Sequence, residues 1–489
     1  MTEQLAERVF LLRLAGEFSV KSRRTQKRFR QRLLRNLRDA LEQAGSPFRI
    51  EDRWSRIFVH ADADAGPTIG RVFGIGSLSP IDRRVSATVD DIVRAGAEAY
   101  AGTVQDRAFA VRARRSGTHD FRSKDIEIAL GAALDGLGRV DLTAPDVTVG
   151  VEVRDEDAYL FSSRLDGAGG LPLGVEGRAL ALVSGGFDSA VASWLMLKRG
   201  VQLDYVFCNL AGQAYERSVV QVAKVLADKW SYGTRPRLHV IDFGPVLDNL
   251  RAHSQPKYWQ LVLKRLMYRA AERVAREVGA DAIVTGEAMG QVSSQTLANL
   301  AAIDPAVDLV VFRPLLGFDK TEIIDRSRRI GTFEISALVK EYCAISPGNP
   351  VTHASREAAA KEESRLDLEI LHAAVTARRV IDIRKLNSAD LVEDYLYAEA
   401  IPEGAVVIDI RGEGEGESWQ YPGALRQDVW DVAGHVGEMD ADRTYVVYCD
   451  AGMQAVLLAE QMQRAGLEAF AFRGGTRALR KLTEAPTAV

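Results

Sequence analysis

The chain has 489 residues, of which 47% are hydrophobic and 27% are charged, and its formal net charge at pH 7 is −4. This length predicts about three domains or more, and the composition is that of an ordinary folded protein rather than a disordered or fibrous one. The net charge does not favour a nucleic-acid binder, although an average over the whole chain can conceal a basic patch.

Neither a membrane segment nor a signal peptide is visible in the sequence. The first apolar stretch, VFLLRLAG, is broken by Arg13 and is shorter than the roughly 18 residues that a membrane span requires. The three cysteines, Cys208, Cys343 and Cys449, form no CxxC pair, which argues against structural zinc, iron–sulfur clusters and a disulfide framework. We therefore expect a cytoplasmic protein without a structural metal site, in which Cys208, inside an apolar strand, belongs to the core.

A basic helix is predicted over residues 25–43, where apolar residues recur at helical spacing on one face. The opposite face and the residues leading into the helix are almost purely basic and include Lys21, Arg28, Arg32, Arg35 and Arg38. Such a run is usually a solvated helix face. Because acids arrive only towards the end of the helix, contact with a phosphate backbone is an equally good interpretation.

A second basic cluster begins within a predicted strand at residues 109–114 and continues beyond it. It contains Arg112, Arg114, Arg115 and Lys124, and Phe121 is available there for stacking on a base. The two units that carry these clusters resemble a ferredoxin-like domain followed by a THUMP domain, the RNA-binding front half of several tRNA-modifying enzymes. A glycine-rich connector, GAGGLPLGVEGR, leads from them into the next unit, as it does in one family of such enzymes.

From residue 180 short apolar strands alternate with amphipathic helices, which predicts a doubly wound parallel sheet. Its first strand runs into SGGFDS, residues 184–189. Glycines there let backbone N–H groups converge on phosphate oxygens, and the N-terminus of the helix that opens at Asp188 and Ser189 favours their charge. The loop is neither GxxxxGK[ST] nor GxGxxG. It resembles the SGGxDS loop of the ATP pyrophosphatase (PP-loop) superfamily, and the alternative is a tight turn capped by Ser and Asp.

Two further loops should meet this turn, because ligands of parallel sheets bind at the carboxyl ends of the strands. One contains Gly286 and Glu287 after the fourth strand of the sheet. The other is the polar stretch GQVSSQT at residues 290–296.

The last unit follows a stretch that we interpret as a bridging helix and linker. The strand VVIDIR, the turn YPGAL and a strand ending at Cys449 resemble a rhodanese domain, whose sulfur-carrying cysteine sits in a CxxGxx loop. Backbone N–H groups and the helix dipole of that loop are expected to hold an anionic sulfur. Many rhodaneses have Arg at the sixth loop position, where this chain has Gln454, which favours a protein persulfide donor over thiosulfate.

Over its full length the chain resembles the tRNA 4-thiouridine synthase family (tRNA uracil 4-sulfurtransferases, the ThiI proteins), in the form with a C-terminal rhodanese domain. The matching blocks are RARRSG, GAGGLPLG, SGGFDS, LKRLMYRAA, TGEAMGQVSSQT and EYC. The implied fold class is multidomain α/β and α+β. The implied domains are ferredoxin-like (1–76), THUMP (77–168), PP-loop ATP pyrophosphatase (169–345), bridging helix and linker (346–400) and rhodanese-like (401–489).

The same resemblance implies the site residues. It implies that Cys449 carries the persulfide, that Cys343 is the partner thiol, and that Asp188 belongs to the pyrophosphate loop. The remaining ATP contacts are Leu182, Val183, Ser184, Gly185, Gly186, Ser189, Lys264, Gly286 and Gln295. The RNA contacts are expected at Lys21, Arg28, Arg32, Arg112, Arg114, Arg115 and Lys124.

The implied reaction is adenylation of a tRNA uridine at C4, at position 8 by family expectation, followed by replacement of the oxygen with persulfide sulfur. The implied cofactors are ATP and Mg²⁺. The implied partners are tRNA, a cysteine desulfurase as persulfide donor, a small sulfur-carrier protein for thiamine thiazole synthesis and a reductant for a Cys343–Cys449 disulfide, and a homodimer is compatible with them. Two alternatives stay open: a rhodanese-type sulfur relay alone, and a PP-loop amidating synthetase, although no glutaminase domain is visible.

Overall fold

The computed structural model describes residues 8–18, 20–53, 56–210, 213–337, 349–386, 396–411, 419–449 and 453–484. The chain divides into two compact units. The first comprises residues 1–176 with 197–202 and 229–234, and the second comprises 177–196, 203–228 and 235–489. Within the described residues, no helix combines the length and the apolar character that crossing a membrane requires.

The first unit contains two five-stranded sheets with helices packed on them. Its elements in chain order are β1 (Arg8–Leu14), α1 (Arg23–Ala44), β2 (Arg49–Arg53), β3 (Arg56–Ala61), α2 (Gly66–Gly70), β4 (Ile75–Pro80), β5 (Arg83–Ser86), α3 (Val89–Val104), β6 (Ala108–Ser116), α4 (Ser123–Leu134), β7 (Arg139–Val140), β8 (Val147–Arg154), β9 (Asp157–Phe161) and β10 (Leu165–Asp166). The strand orders are β10-β4-β1-β3-β2 and β5-β9-β8-β6-β7.

Helix α1 packs its apolar stripe on the first of these sheets. Phe29, Leu33, Leu37 and Leu41 are buried in one core with strand residues such as Leu12. The helix starts at the Ser22 cap, whose Oγ accepts from the Thr25 N–H, and ends at Gly45 with φ of 68°. The basic residues of α1 therefore fall on the faces that the core does not use.

Phe121 corrects one expectation, because the structure places it in the core instead of leaving it free to stack on a base. It is 8% exposed and packs with Ile126 and Leu130 in the second core of this unit. It directly precedes Arg122, the N-cap of α4. Phe121 and Ile126 thus occupy the two positions of a hydrophobic staple, which fixes the entry of the chain into the helix.

The second unit contains a six-stranded sheet of order β15-β14-β11-β12-β13-β16. Its elements in chain order are β11 (Arg178–Leu182), α5 (Phe187–Lys198), β12 (Gln202–Asn209), α6 (Gln213–Trp230), β13 (Arg237–Asp242), α7 (Gly244–His253), α8 (Trp259–Val278), β14 (Ala282–Val284), α9 (Leu297–Ile303), β15 (Val310–Phe312), α10 (Lys320–Ile330), α11 (Phe333–Ala337), α12 (Arg356–Glu363), α13 (Leu368–Thr376) and β16 (Arg379–Asp382). Strands β11, β14 and β15 pair in parallel, as do β12 and β13.

The sequence pattern predicts a bridging helix and linker at residues 356–382, but in the structure this stretch packs on the sheet and adds a strand to it. Helix α13 buries Leu371 and Val375 in the same core as Leu250 of α7. Strand β16 then pairs antiparallel with β13, with Leu238 opposite Ile381. The stretch therefore completes the edge of the parallel sheet.

The remaining elements form a separate sheet with its own core. They are β17 (Tyr397–Ala398), β18 (Val406–Asp409), β19 (Leu425–Arg426), α14 (Val429–His435), β20 (Thr444–Tyr448), α15 (Met453–Arg464), β21 (Glu468–Phe472) and α16 (Gly475–Glu484). The order is β17-β21-β20-β18-β19, and the neighbouring strands pair in parallel. Its core includes Ile408, Val447 and Cys449.

Candidate functional site

The SGGFDS sequence forms the turn between β11 and α5. The Val183 N–H donates to the Val206 carbonyl (3.0 Å), and Gly185 has φ of +60°, where glycine is favoured. The Ser189 Oγ accepts from the Ser184 N–H (3.2 Å) and donates to the Gly186 carbonyl (3.3 Å). Ser189 thereby closes the turn at the positive end of α5, which is a favourable place for phosphate oxygens.

Gly286 lies directly against the start of α5. A Cβ atom at Gly286 would lie 2.5 Å from the Ser189 nitrogen and 2.6 Å from the Asp188 carbonyl carbon. Only glycine allows the end of β14 to come this close to the turn. The structure therefore brings together two of the loops that the sequence predicts to meet.

The Asp188 carboxylate is held by two side chains: Lys320, which is absent from the predicted site residues, and Gln291, which lies in the 290–296 stretch that the sequence predicts to meet the turn. Lys320 Nζ lies 3.0 and 3.2 Å from its two oxygens, and Gln291 Nε2 donates to Oδ2 at 3.0 Å. Lys320 Nζ also lies over the Phe187 ring, 5.5 Å from its centroid. The available signal for Lys320 is its place at the start of α10, in the connection that follows β15, the next strand of the sheet.

Lys264, on α8, is the second lysine of the site. Its side chain is 27% exposed, and its Nζ lies 3.9 Å from Oε1 of Glu287, a carboxylate that is only 2% exposed. Burial by itself raises the pKa of Glu287, but Lys264, Tyr268 and Arg313 together hold that pKa below its usual value. A buried, ionised carboxylate therefore faces the lysine.

Gln295 supplies an unsatisfied polar group. The residue is 8% exposed, and its Oε1 is buried without a hydrogen-bond partner among the described residues. Its carbonyl is fixed by the Gly290 N–H at 2.9 Å. A buried amide of this kind calls for a partner, and an amide can pair with the donor or acceptor edge of a nucleobase. With the glycine turn and two lysines, these residues fit a nucleoside triphosphate.

No preformed metal site accompanies them, since the described residues contain no group of three or more His, Cys, Asp or Glu that could hold a metal ion. Leu182 and Val183, the other predicted ATP contacts, are half-buried and buried respectively, at the end of β11.

Cys449 lies at the carboxyl end of β20 and is 3% exposed. Its carbonyl accepts from the Thr476 N–H (3.2 Å) at the start of α16. Residues 450–452 of the predicted sulfur-carrying loop lie outside the described residues, as does Cys343. Cys208 is buried in the core, as predicted, and burial raises the pKa of its thiol well above the usual value despite the opposing charge of Lys264.

A buried ionic cluster fixes the strand end beside Cys449. Arg411 donates to Asp409 from Nε (2.9 Å) and from Nη2 (2.6 Å), and the Tyr448 hydroxyl donates to Asp409 Oδ2 (2.9 Å). Burial, together with the Asp409 charge, raises the pKa of Tyr448 to about 12, so the phenol stays protonated as a donor. The residue next to Cys449 is thus anchored to the neighbouring strand.

Most of the predicted RNA contacts lie on the surface of the first unit. Arg114 is exposed, Arg115 is half-buried and donates to the Gly117 carbonyl (2.9 Å), and Lys124 pairs with Glu127 at 3.4 Å. The others that are exposed are Lys21, Arg28 and Arg112.

Arg32 is the exception among these contacts. Its guanidinium donates from Nε to the Leu173 carbonyl (2.7 Å) and from Nη2 to the Gly233 carbonyl (3.1 Å), all within the first unit. Burial lowers the pKa of Arg32, and neighbouring Arg35 acts in the same direction. We therefore assign Arg32 to holding two backbone segments rather than to binding RNA.

Two cavities of the first unit, of about 530 and 770 Å³, share Arg13, Arg114 and Arg164 as wall residues. The most deeply buried acid there is Glu152, which is paired with Arg13, Arg56 and Arg154. Each cavity is lined by more arginines and lysines than carboxylates, which leaves its walls positive. The sequence patterns miss Arg13 and Arg164, although a charge inside the apolar strand β1 was a signal for Arg13.

The fold and the site define a class of multidomain enzymes in which basic front domains, a phosphate-binding parallel sheet and a rhodanese-like sheet share one chain. Protein-family models match the ThiI ferredoxin-like domain at residues 9–79, the THUMP domain at 86–163, the thiamine biosynthesis protein ThiI at 174–368 and the rhodanese-like domain at 367–481.

Relatives extend this similarity over nearly the whole chain. The tRNA sulfurtransferase of Pyrobaculum aerophilum is 37% identical over 469 residues, covering 94% of this chain and 95% of the relative. That of Desulfurococcus amylolyticus is 37% identical over 471 residues, covering 95% and 97%. A crystal structure of a 4-thiouridine synthetase–RNA complex with bound ATP has 32% identity and a TM-score of 0.67, covering 77% of this chain and 99% of that one. The chain belongs to the ThiI family of tRNA sulfurtransferases.

The predicted family, fold class and enzyme class are confirmed by these matches. The individual site residues and the domain boundaries stay predictions, which the geometry above supports to different degrees.

Proposed function

We propose that this protein is an ATP-dependent sulfurtransferase that activates a uridine of tRNA at C4 and replaces the C4 oxygen with sulfur to give 4-thiouridine. The observation that carries the proposal is the contact of Asp188 with Lys320 and Gln291 beside Gly286. This contact joins three separate loops beside the glycine turn and so supports a phosphate site there, in a chain whose relatives are tRNA sulfurtransferases.

The first step uses ATP to make the C4 oxygen a good leaving group. The uracil oxygen attacks the α-phosphorus, an oxygen–phosphorus bond forms, and pyrophosphate leaves into the SGGFDS turn. Lys320 and Lys264 offset the negative charge that develops on the phosphates, which is the main way such a site lowers a barrier. Mg²⁺ is expected to enter with the phosphates and to neutralise part of their charge.

The second step delivers sulfur from Cys449. A cysteine desulfurase loads this residue as a persulfide, whose outer sulfur attacks C4 and displaces AMP. Attack by the Cys343 thiolate on the Cys449 sulfur then frees the thiolated uridine and leaves a Cys343–Cys449 disulfide. In the alternative route, Cys343 attacks the Cys449 persulfide first, which leaves the same disulfide and releases sulfide, and the sulfide then attacks C4 and displaces AMP. A thiol reductant supplies the two electrons that restore both cysteines.

The first unit is proposed to bind the tRNA. Its support is the exposed cations Lys21, Arg28, Arg112 and Arg114 and the arginine-walled cavities. The solved relative is described as an RNA complex with bound ATP, which favours the same two ligands here. The persulfide of Cys449 can also serve a small sulfur-carrier protein for thiazole synthesis, in keeping with the name of the matching family model.

The direct test incubates the full-length protein with unmodified tRNA, ATP, cysteine, a cysteine desulfurase and a reductant, and identifies the nucleosides by mass spectrometry after digestion. The expected product is 4-thiouridine, formed only when ATP is present. A persulfide on Cys449 without any thiolated nucleoside would favour the sulfur relay alone. ATP cleavage that depends on an amine instead of RNA would favour an amidating synthetase.

A further inference from the structure

Glu287 lies where the loop after β14 meets Lys264 of the nucleotide site. It follows Gly286, the residue that touches the start of α5, and its side chain is only 2% exposed. A carboxylate in such a place costs free energy unless it is paired and hydrogen-bonded. The partners of Glu287 therefore indicate its function.

The two oxygens of Glu287 have different surroundings. Oε2 accepts from Arg313 Nε (2.9 Å), Thr285 Oγ1 (3.1 Å) and the Tyr268 hydroxyl. Arg313 also donates from Nη2 to the Tyr268 oxygen at 3.1 Å, which closes a small ring of contacts. Three donors on one oxygen hold the carboxylate in a single orientation.

Oε1 faces Lys264. It is buried without a hydrogen-bond donor in the described part of the chain, and Lys264 Nζ lies 3.9 Å away. This distance is too long for a hydrogen bond but short enough for a strong charge interaction in a buried site. The ammonium group is therefore attracted to a fixed point while its N–H donors stay available for another anion.

We propose that Glu287 is a positioning residue for the activation step, which aims the Lys264 ammonium at the phosphates of the bound nucleotide. A lysine side chain loses rotamer entropy when it is fixed in one orientation. Because the ion pair already restricts the Lys264 side chain before the nucleotide binds, less side-chain entropy is lost on binding. The inference rests on the proposed function only in that Lys264 is taken to contact ATP.

The test is a double-mutant cycle on the KM for ATP, measured as RNA-dependent release of pyrophosphate by the full-length protein. Glu287→Gln keeps the shape and removes the charge, and Lys264→Met removes the ammonium. Each single variant is expected to raise the KM by about tenfold. The double variant is expected to be no worse than Lys264→Met alone, because the two residues act through one contact.

Asp304→Asn is the matched control, because Asp304 is exposed and contacts Nη2 of Arg313, whereas Glu287 accepts from Nε of the same guanidinium. It is expected to leave the KM for ATP unchanged. Glu287→Asp, which keeps the charge on a shorter side chain, should recover part of the ATP affinity and serves if Glu287→Gln does not fold. RNA affinity, measured in parallel, should be the same in all variants.

The inference is overturned if Glu287→Gln raises the KM as much in the Lys264→Met background as in the wild type, because Glu287 would then act through the fold. It is also overturned if only the active fraction falls while the KM stays constant. Absence of RNA-dependent pyrophosphate release from the wild type would instead count against the proposed function, so the two failures are distinguishable.

Discussion

At the scale of single residues, the nucleotide site is organised by two carboxylates that each face a lysine. Asp188 contacts Lys320 at 3.0 Å, and Glu287 faces Lys264 at 3.9 Å. Both lysines keep exposed surface, at 42% and 27% of their side chains. The site therefore presents two oriented positive charges to a ligand, and a triphosphate has the complementary charge.

His239 gives a residue-scale prediction about pH. It is 2% exposed on β13, and its Nδ1 accepts from Arg378 Nε at 3.2 Å. Burial, with the charge of Arg378, lowers the pKa of His239 to about 4. The unfolded chain takes up this proton near pH 6.5 and the folded chain only near pH 4. Stability is therefore complete above pH 6.5 and falls by roughly 2 to 3 kcal/mol as the pH drops towards 4.

Urea unfolding of the wild type and of His239→Gln at pH 7 and pH 4.5 checks this expectation. The wild type should lose more stability between the two pH values than the variant does. His372→Gln is the control, because His372 is a partly exposed residue beside Glu369. Equal losses in wild type and His239→Gln would show that another group carries the pH dependence.

Single residues also mark the limit of what the sequence can predict. The glycines of SGGFDS and Gly286 carry their own signal, because only glycine tolerates such turns and close approaches. The environment of Arg32 carries no such signal in the sequence, since its two acceptor carbonyls are 141 and 201 positions away in the chain. Phe121 and Lys320 likewise depend on which residues the fold brings beside them.

At the scale of elements, the site depends on how closely strand ends and helix starts approach each other. The end of β14 touches the start of α5, and the loop after β14 reaches Asp188 through Gln291. Asn299, at the start of α9, donates to the carbonyls of Ser293 (2.7 Å) and Val351 (2.8 Å) and so ties that loop to residues 349–354. The β11–α5 turn, the loop after β14 and residues 349–354 are thereby held together beside the ends of β11 and β14.

Gly286→Ala tests the close approach between the end of β14 and the start of α5. The new methyl group would lie 2.5 Å from the Ser189 nitrogen, so α5 or β14 must shift. We expect ATP affinity to fall by at least about tenfold while the protein stays folded, because the shift displaces the phosphate-binding turn. Gly317→Ala is the control, because nothing lies within 4 Å of its added Cβ. Unchanged ATP binding by Gly286→Ala, measured by calorimetry, would contradict the geometry.

Arg28 and Arg32 provide a matched pair one turn apart on α1. Arg28 is exposed, whereas Arg32 holds two backbone carbonyls. Arg28→Gln should weaken tRNA binding and reduce the slope of log affinity against log salt by about 1, with thermal stability unchanged. Arg32→Gln should lower the unfolding free energy by roughly 2 kcal/mol and leave that slope unchanged. The reverse pattern would mean that the RNA surface includes Arg32.

Elements were predictable where their pattern was long and local. The apolar stripe of α1 and the alternation of strands and helices after residue 180 indicate the helices and the parallel sheet directly. Strand β16 has only four residues and no alternation of its own, and it exists because β13 offers an open edge. Pairing of this kind cannot be read from the local sequence.

At the scale of the whole molecule, the motifs are more informative than any single element. Four units in one order identify the family, and relatives at 37% identity over nearly the whole chain confirm it. The residues that complete the site come from distant parts of the chain, as in the pairing of Asp188 with Lys320, 132 positions apart. The sequence therefore predicts the chemistry better than it predicts the contacts that support it.

The proposed function divides the labour between two sites: the nucleotide site activates the RNA, and Cys449 supplies the sulfur. The most direct measurement follows pyrophosphate release and 4-thiouridine formation together in wild-type protein and Cys449→Ser, with tRNA, ATP, cysteine, a desulfurase and a reductant. We predict that Cys449→Ser still releases pyrophosphate in the presence of tRNA but forms no 4-thiouridine. Loss of pyrophosphate release in Cys449→Ser, or thiolation by that variant at the wild-type rate, would contradict this division between the two sites.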